Sequence, residues 1–268
     1  MNIKHFVITR FLSWTGMSGK DGFGEKLFSS ETKEYAYNLI KNFFIPTLNN
    51  QTLQNFEIIF VTHNKFDVNE FYQVFNTFGI KAKYHILHNN EYESFIKNSV
   101  EGYDWLITTR LDYDDCVKNT AVEEVQKLLN NTSLPIFVYG YEFGYAYDIN
   151  TGVLYKHNPK RKLKSRGFWS IFLSLCVNLQ ECSNIYNVYE LHNHCNIVDD
   201  LFNMITDVHV DDINKYIIHY NNELMPYVWI RHTNSGSNFL KYTQEYESII
   251  ELTDDAKQDF LKTYALNI

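Results

Sequence analysis

The four cysteines, Cys116, Cys176, Cys182 and Cys195, form no CxxC pair. Their spacings suit neither a zinc site nor a disulfide framework, so they are expected to be free thiols in a reducing compartment. No G-x-G-x-x-G or Walker-type loop follows the first apolar run, which removes the usual dinucleotide and ATP fingerprints. There is no basic excess: 24 Lys and Arg stand against 32 Asp and Glu, a net charge of −8. A nucleic-acid partner is therefore not expected, since such proteins carry a basic patch and a high pI. The start, Met1-Asn2-Ile3-Lys4-His5, lacks a signal-peptide apolar region. The longest apolar stretch, Trp169 to Leu179, carries Ser and Asn and is too short to span a bilayer. These absences predict a cytoplasmic protein and leave peripheral association with the inner face of a membrane open. Neither an internal repeat nor a linker divides the 268 residues, so one domain is expected.

Aromatic residues are plentiful, at 16% with 20 Tyr and 20 Phe. Most belong in a core, and some are suited to lining a sugar-binding cleft. His5 to Phe11 reads as a first buried strand, and residues 13 to 30, with four glycines, as a long loop. Glu31 to Leu48 follows as a helix with a Tyr35, Leu39, Ile40, Phe43, Phe44 stripe, disturbed near its end by Pro46. Strands are expected at Phe56 to Val61, Lys81 to Leu87 and Asp104 to Leu111. Helices are expected at Val68 to Phe78, stopped by Gly79, and at Tyr92 to Val100. Alternating strand and helix predicts an α/β fold with a mostly parallel sheet flanked by helices.

The fourth strand carries the strongest chemical signal. Trp105-Leu106-Ile107-Thr108-Thr109-Arg110-Leu111 is apolar and β-leaning, and Asp112-Tyr113-Asp114-Asp115 follows at once. Unpaired carboxylates are costly to bury, so the strand should run out of the core and end in acid. Ligands of open α/β sheets bind at such carboxyl ends. On an extended chain Asp112 and Asp114 would point the same way, and two hard oxygen donors can hold Mg²⁺ or Mn²⁺ beside a diphosphate. A plain Asp-rich turn capping a helix explains the same residues. Arg10 and Arg110 each end an apolar strand at one sheet edge, where a guanidinium can grip a diphosphate. For Arg110, pairing with Asp112 competes with that use. Thr62 and Asn64, at the end of the second strand, are placed to contact a nucleobase or ribose.

The second half is read as a helix from Asn119 to Leu129, a strand from Ile136 to Tyr139, and a hairpin. The hairpin joins Tyr141 to Tyr147 with Gly152 to Tyr155 through Asp148-Ile149-Asn150-Thr151-Gly152. A basic run from Lys156 to Arg166 serves either as a solvated loop or as a clamp on an anion. His192-Asn193-His194 precedes a helix start at Asp199-Asp200. Tyr227 to His232 reads as a late strand, and the chain from Tyr246 on as a helical C-terminal extension.

Five blocks make the chain to about Asn238 similar to the bacterial rhamnosyltransferases, a branch of the GT-A fold glycosyltransferases. They are Val7-Ile8-Thr9-Arg10-Phe11, Thr108 through Asp115, Gly144 to Asp148 with Thr151 to Tyr155, Asn193 to Ile197, and Trp229-Ile230-Arg231-His232. The chain departs from the family pattern at Asn234-Ser235-Gly236-Ser237 and in the length of its basic run, and both departures bear on the acceptor and the sugar. The resemblance implies a GT-A-like mixed sheet, with residues 1–118 as the nucleotide-sugar-binding half and 119–268 as the acceptor-side half. It implies transfer of rhamnose or another hexose from a nucleotide-diphosphate donor to a glycan or lipid-linked saccharide acceptor, with Mn²⁺ or Mg²⁺ as cofactor. It places Thr9, Arg10 and Phe11 at the donor, Asp112 at the ribose or the metal, and Asp114 on the metal. His232, at a strand end, is the candidate third metal ligand, with a structural histidine as the alternative. An inverting reaction needs a base to take the acceptor proton. Asp199 and Asp200 are the candidates, helix capping being the other use for one of them, while His194 is read as binding acceptor or donor or as a core residue. Glu142 and Asp148 are further candidates for the base.

Two other classes fit parts of the pattern. A metal-dependent nucleotidyl or phosphoryl transferase also uses paired Asp after a strand, but the Gly-rich nucleotide loop is missing. A non-catalytic sugar-binding protein would use Trp14, Trp105, Trp169 and Trp229 as platforms, but has no need of Asp112 and Asp114.

Overall fold

The computed structural model describes residues 1–13, 27–141, 144–157, 172–191, 197–204, 216–220 and 227–231, with Asp255, Gln258, Lys262 and Tyr264. The first half alternates β1 (Ile3–Arg10), α1 (Ser30–Leu39), α2 (Ile45–Asn49), β2 (Glu57–Thr62), α3 (Val68–Phe75), β3 (Lys83–His88), α4 (Tyr92–Asn98) and β4 (Trp105–Arg110). Then follow β5 (Cys116–Val117), α5 (Ala121–Leu128), β6 (Ile136–Tyr141), β7 (Gly144–Asp148), β8 (Val153–His157), β9 (Leu173–Asn178), α6 (Ile197–Met204), β10 (Ile217–Tyr220) and β11 (Tyr227–Arg231).

The main sheet has the order β10-β6-β9-β4-β1-β2-β3. Its pairs are parallel except those of β9, which runs antiparallel to both β4 and β6. This is the expected mixed, mostly parallel sheet. β9, which lies between β4 and β6, comes from the apolar stretch Trp169 to Leu179, for which the sequence pattern assigns no element. Its run from Leu173 to Val177 is buried throughout, because the sheet is covered on both faces and alternation is lost. A second sheet, β5-β11-β7-β8, contains the expected hairpin of β7 and β8, closed by Gly152 at φ +69°. Asp255, Gln258 and Lys262 are helical, as expected of the C-terminal extension.

The helix expected from Glu31 to Leu48 is divided. Ser29 caps α1 by accepting from the Thr32 N–H, and between α1 and α2 lies a π-helical turn, Ile40–Phe44. There the Ile45 N–H reaches back five residues to the Ile40 carbonyl. Pro46 has no N–H to continue an α ladder and its ring crowds the carbonyl of the preceding turn, so a widened turn ahead of it relieves both problems. The stripe still faces inward: Leu39, Ile40, Phe43 and Phe44 are buried.

One face of the main sheet carries Val7, Phe11, Ile58, Phe60, Ile107 and Leu111 against α1 to α3. The other carries Phe6, Ile8, Ile59, Val61 and Leu106 against α4, α6 and the 3-10 turn Val188–Glu190. A buried polar chain crosses the sheet. The Gln126 amide donates to the Asn55 carbonyl (2.9 Å) and to His5 Nδ1 (3.1 Å). His5 Nε2 therefore carries the ring proton, which it donates to Thr109 Oγ1 at 2.8 Å, and Ser174 Oγ lies 2.7 Å beyond. No helix among the described residues is long and apolar enough to cross a membrane.

Candidate active site at the carboxyl ends of β1 and β4

The acidic stretch is a turn rather than an extended strand. β4 stops at Arg110, and the Asp115 N–H bonds to the Asp112 carbonyl at 3.0 Å, closing Asp112 to Asp115. The expectation that Asp112 and Asp114 align because an extended chain alternates is therefore corrected. What separates them from the core is Tyr113, whose ring packs edge-on against Phe11 with centroids 5.6 Å apart. Burial, and then the neighbouring Asp114 and Asp112, raise the Tyr113 pKa far above its ordinary value. The two carboxylates flanking this ring are half-buried, and 42% of the Asp112 side chain is exposed.

Asp115 caps no helix, since α5 begins only at Ala121 after Thr120. It is buried, and its Oδ1 accepts the Ile230 N–H at 3.0 Å. Cys116, next in β5, pairs antiparallel with Val228. The acidic turn is thus fastened to β11, which ends at Arg231, one residue before His232. Asp115→Ala would leave a buried N–H unpaired, at a cost of about 2 kcal/mol. Asp115→Asn keeps an acceptor oxygen and is expected to cost less than half as much. Chemical denaturation of both variants checks the ordering, and equal losses would contradict this role for Asp115.

The two arginines meet as expected. β1 and β4 are paired neighbours, with Ile8 opposite Arg110. Both guanidiniums lie over the ring of Tyr189, that of Arg10 4.1 Å and that of Arg110 5.6 Å from its centroid. Arg110 also pairs with Asp112, Nη2 to Oδ2 3.6 Å. Burial works against the Arg110 charge, but Asp112 outweighs it and the pKa is raised. Arg10 is exposed and, among the described residues, makes no ion pair with a carboxylate. A cleft of about 360 Å³ opens beside it, lined by Arg10, Ser13, Val61, Asn89, Tyr92 and Tyr189 together with Glu93. The chain reaches the cleft at Ser13. Leu12 takes φ +50°, a left-handed conformation uncommon for leucine, and the Asn89 side chain donates to the Ser13 carbonyl at 2.9 Å.

Other expected donor contacts lie elsewhere. Strand side chains alternate, so with Arg10 and Val61 on the cleft face, Thr9, Phe11 and Thr62 point to the opposite one. Thr9, Phe11 and Thr62 are fully buried, and Phe11 sits among Tyr37, Phe60, Phe71 and Phe75. Asn64 is exposed in the turn after β2. Trp105 is a core residue against Phe137, not a sugar platform. Asp148 accepts from the backbone and side chain of Asn150, a turn-stabilising use. Asp199 and Asp200 are the third and fourth residues of α6, not its cap. Ile197 and Leu201 seat that helix on the Tyr189 side of the sheet, and Asp200 is half-buried. His194, His232, Glu142, Cys195, Trp14, Trp169 and most of the 13–30 and 156–166 loops lie outside the described residues, as does the side chain of Trp229. Cys116, Cys176 and Cys182 are free thiols, and burial raises the pKa of each.

Tyr189 had no signal in the sequence. It lies in a short 3-10 turn whose function depends on a contact with strands some 80 and 180 positions away.

No family model matches the chain, and no curated protein matches it by sequence. By shape it is similar to S. aureus TarS, at 11% identity over 86% of this chain and 37% of that one, TM-score 0.45. It is similar to residues 1-349 of S. aureus TarS in complex with UDP, at 11% identity over 86% of this chain and 61% of that one, TM-score 0.45. It is also similar to the glycosyltransferase GlyE of Streptococcus pneumoniae, at 10% identity over 82% of this chain and 46% of that one, TM-score 0.35. The chain thus spans 37% to 61% of the length of these structures.

Proposed function

We propose that the protein is a glycosyltransferase that takes a hexose, rhamnose among the candidates, from a nucleotide-diphosphate donor and passes it to a glycan or lipid-linked saccharide. The observation that carries this reading is that Arg10 and Arg110, both over Tyr189, and the turn bearing Asp112 and Asp114 stand at the carboxyl ends of two adjacent parallel strands, with Arg10 lining an open cleft. Two guanidiniums suit a diphosphate, and half-exposed carboxylates suit a hard divalent ion. The sequence blocks shared with the rhamnosyltransferase branch support the same reaction.

Among the described residues no group of three His, Cys, Asp or Glu side chains is spaced to hold a metal. The donor set still fits Mg²⁺ or Mn²⁺, because such ions are commonly held by one or two carboxylates and complete their shell with water and substrate phosphates. Asp112 and Asp114 are the proposed ligands, with His232 as a third. The bonding of Ile230 to Asp115 supports that addition. When bound, the ion would neutralise charge building on the departing diphosphate. Arg10 holds the diphosphate, and Arg110 orients Asp112. Asp199 or Asp200 takes the acceptor proton, with His194 at the acceptor or donor sugar.

Thermal shift tests the reading. UDP, dTDP or GDP is expected to raise the melting temperature only with Mn²⁺ or Mg²⁺ present, as a ligand specific to the folded state must. A shift with free sugar and none with any nucleotide would favour a sugar-binding protein.

A further inference from the structure

The two arginines do not hold themselves in place. Arg10 is the last residue of β1 and exposed, and a long side chain there would ordinarily sample many rotamers. Its guanidinium instead lies 4.1 Å above the Tyr189 ring, and Arg110 lies 5.6 Å from the same ring. Tyr189 is itself only 7% exposed, and its hydroxyl donates to the Ile8 carbonyl at 3.4 Å, in the strand that carries Arg10. Tyr92 packs edge-on against it at 6.3 Å and closes the aromatic wall.

The ring is fixed by its own turn. Asn187 accepts the Tyr189 N–H at 3.0 Å, and Glu190 accepts from both the backbone and the side-chain nitrogen of Asn187 at 2.9 Å. This is a reciprocal capping box. The Val188 N–H bonds to Thr108 Oγ1 at 2.8 Å, which pins the turn to β4 two residues before Arg110. One ring is therefore tied to both strands whose ends bear the arginines. Burial, outweighing the two nearby guanidiniums, raises the Tyr189 pKa to about 12, so the phenol stays neutral and leaves the Arg10 charge uncancelled.

We propose that Tyr189 is a positioning residue that presents the Arg10 guanidinium to the phosphates of a nucleoside diphosphate and holds Arg110 toward Asp112. This deepens the donor reading above and rests on it. A stacked guanidinium keeps its edge N–H groups free for a bidentate phosphate contact, which an ammonium could not reproduce. Arg10 is thus the ligand-facing cation of the pair, and Arg110 the one that orients a carboxylate.

The experiment is calorimetric titration of the full chain with UDP, dTDP, GDP, uridine and inorganic pyrophosphate, in Mg²⁺. Tyr189→Leu is expected to weaken binding of the preferred diphosphate about tenfold while Tyr189→Phe stays within about threefold of wild type, since the ring and not the hydroxyl carries the stack. Uridine binding, if uridine is the preferred nucleoside, is expected not to change. Should Tyr189→Leu melt well below wild type, Arg10→Lys decides, because position 10 is exposed. A stack-dependent clamp makes Lys as weak as Arg10→Ala, whereas a simple charge contact lets Lys keep most of the affinity. Wild-type diphosphate affinity in folded Tyr189→Leu, equal losses for Phe and Leu, or affinity retained by Arg10→Lys would overturn the proposal. A wild-type chain that binds pyrophosphate, with these variant effects, but no nucleoside diphosphate overturns the donor reading and leaves the clamp. A chain that binds none of these anions overturns both.

Discussion

Asp114→Asn is expected to lower sugar transfer by about a hundredfold or more while leaving the fold intact, since each tenfold in rate reflects 1.36 kcal/mol of lost transition-state stabilisation and a divalent ion supplies several such units. The substitution keeps the size of the side chain and removes only its charge. Asp114 is half-buried in a turn held by the Asp115 to Asp112 backbone bond and by Tyr113 on Phe11, and none of those contacts needs the Asp114 charge. The melting temperature is therefore expected to stay within a few degrees of wild type, as for surface substitutions generally. Initial rates at saturating donor and Mn²⁺, together with the melting curve, make the check. Transfer within threefold of wild type would remove Asp114 from the reaction, and a large drop in melting temperature would show that its place is structural.

The second large effect is on stability against pH. His5 is fully buried, and burial lowers its pKa from 6.5 to about 3. The folded chain thus keeps a neutral ring where the unfolded chain binds a proton. Stability from this group is complete above pH 6.5 and is lost as pH falls toward 3. Each pH unit in that window costs about 1.4 kcal/mol, so the loss is about 2 kcal/mol between pH 6.5 and 5. The tautomer explains why protonation is not tolerated: a second ring proton at Nδ1 would face the Gln126 amide, itself a donor. His5→Phe should be less stable at neutral pH, because it strips partners from Gln126 and Thr109, yet its stability should be nearly flat between pH 6.5 and 5. Glu57 acts in a separate and lower window. Burial opposes its ionisation, but Lys4, His85 and Lys83 outweigh that and bring its pKa to about 2. Its contribution is lost as pH falls from about 4.5 toward 2. Urea unfolding at half-unit steps of pH, for wild type and His5→Phe, separates the two. Equal slopes above pH 5 would place the titrating group elsewhere.

The sequence exposed those features in which local pattern and tertiary role agree. An apolar run that ends in acids has to leave the core unless each acid is paired: Asp112 and Asp114 are half-exposed, and Asp115 stays buried on the Ile230 N–H. The arginines end parallel strands and so lie at one sheet edge, and they are neighbours because the chain crosses back after β3 to pair β4 with β1. The hairpin followed from its Asp-Ile-Asn-Thr-Gly turn. Four things were not legible, each for a physical reason. β9 is buried on both faces, and a short apolar run without alternation does not distinguish strand from helix. The direction of the Asp112 and Asp114 side chains depends on where β4 stops, and it stops at Arg110, one residue before the expected end, with a turn following in place of extended chain. The faces of Thr9, Phe11 and Thr62 depend on strand parity relative to a cleft that only the fold creates. Tyr189 is the most consequential omission, because Asn187-Val188-Tyr189-Glu190 reads as a local capping turn, whereas in space the ring neighbours two arginines.

Glycosyl transfer at this site is tested most directly by release of nucleoside diphosphate from intact donors. The chain is incubated with UDP-, dTDP- and GDP-linked hexoses in Mn²⁺ or Mg²⁺, without acceptor, and the products are measured by mass spectrometry. Slow hydrolysis of one nucleotide class is expected, stopped by a chelator and absent in Asp114→Asn. Release of no nucleoside diphosphate from any donor, or release unchanged in chelator and in Asp114→Asn, would contradict it.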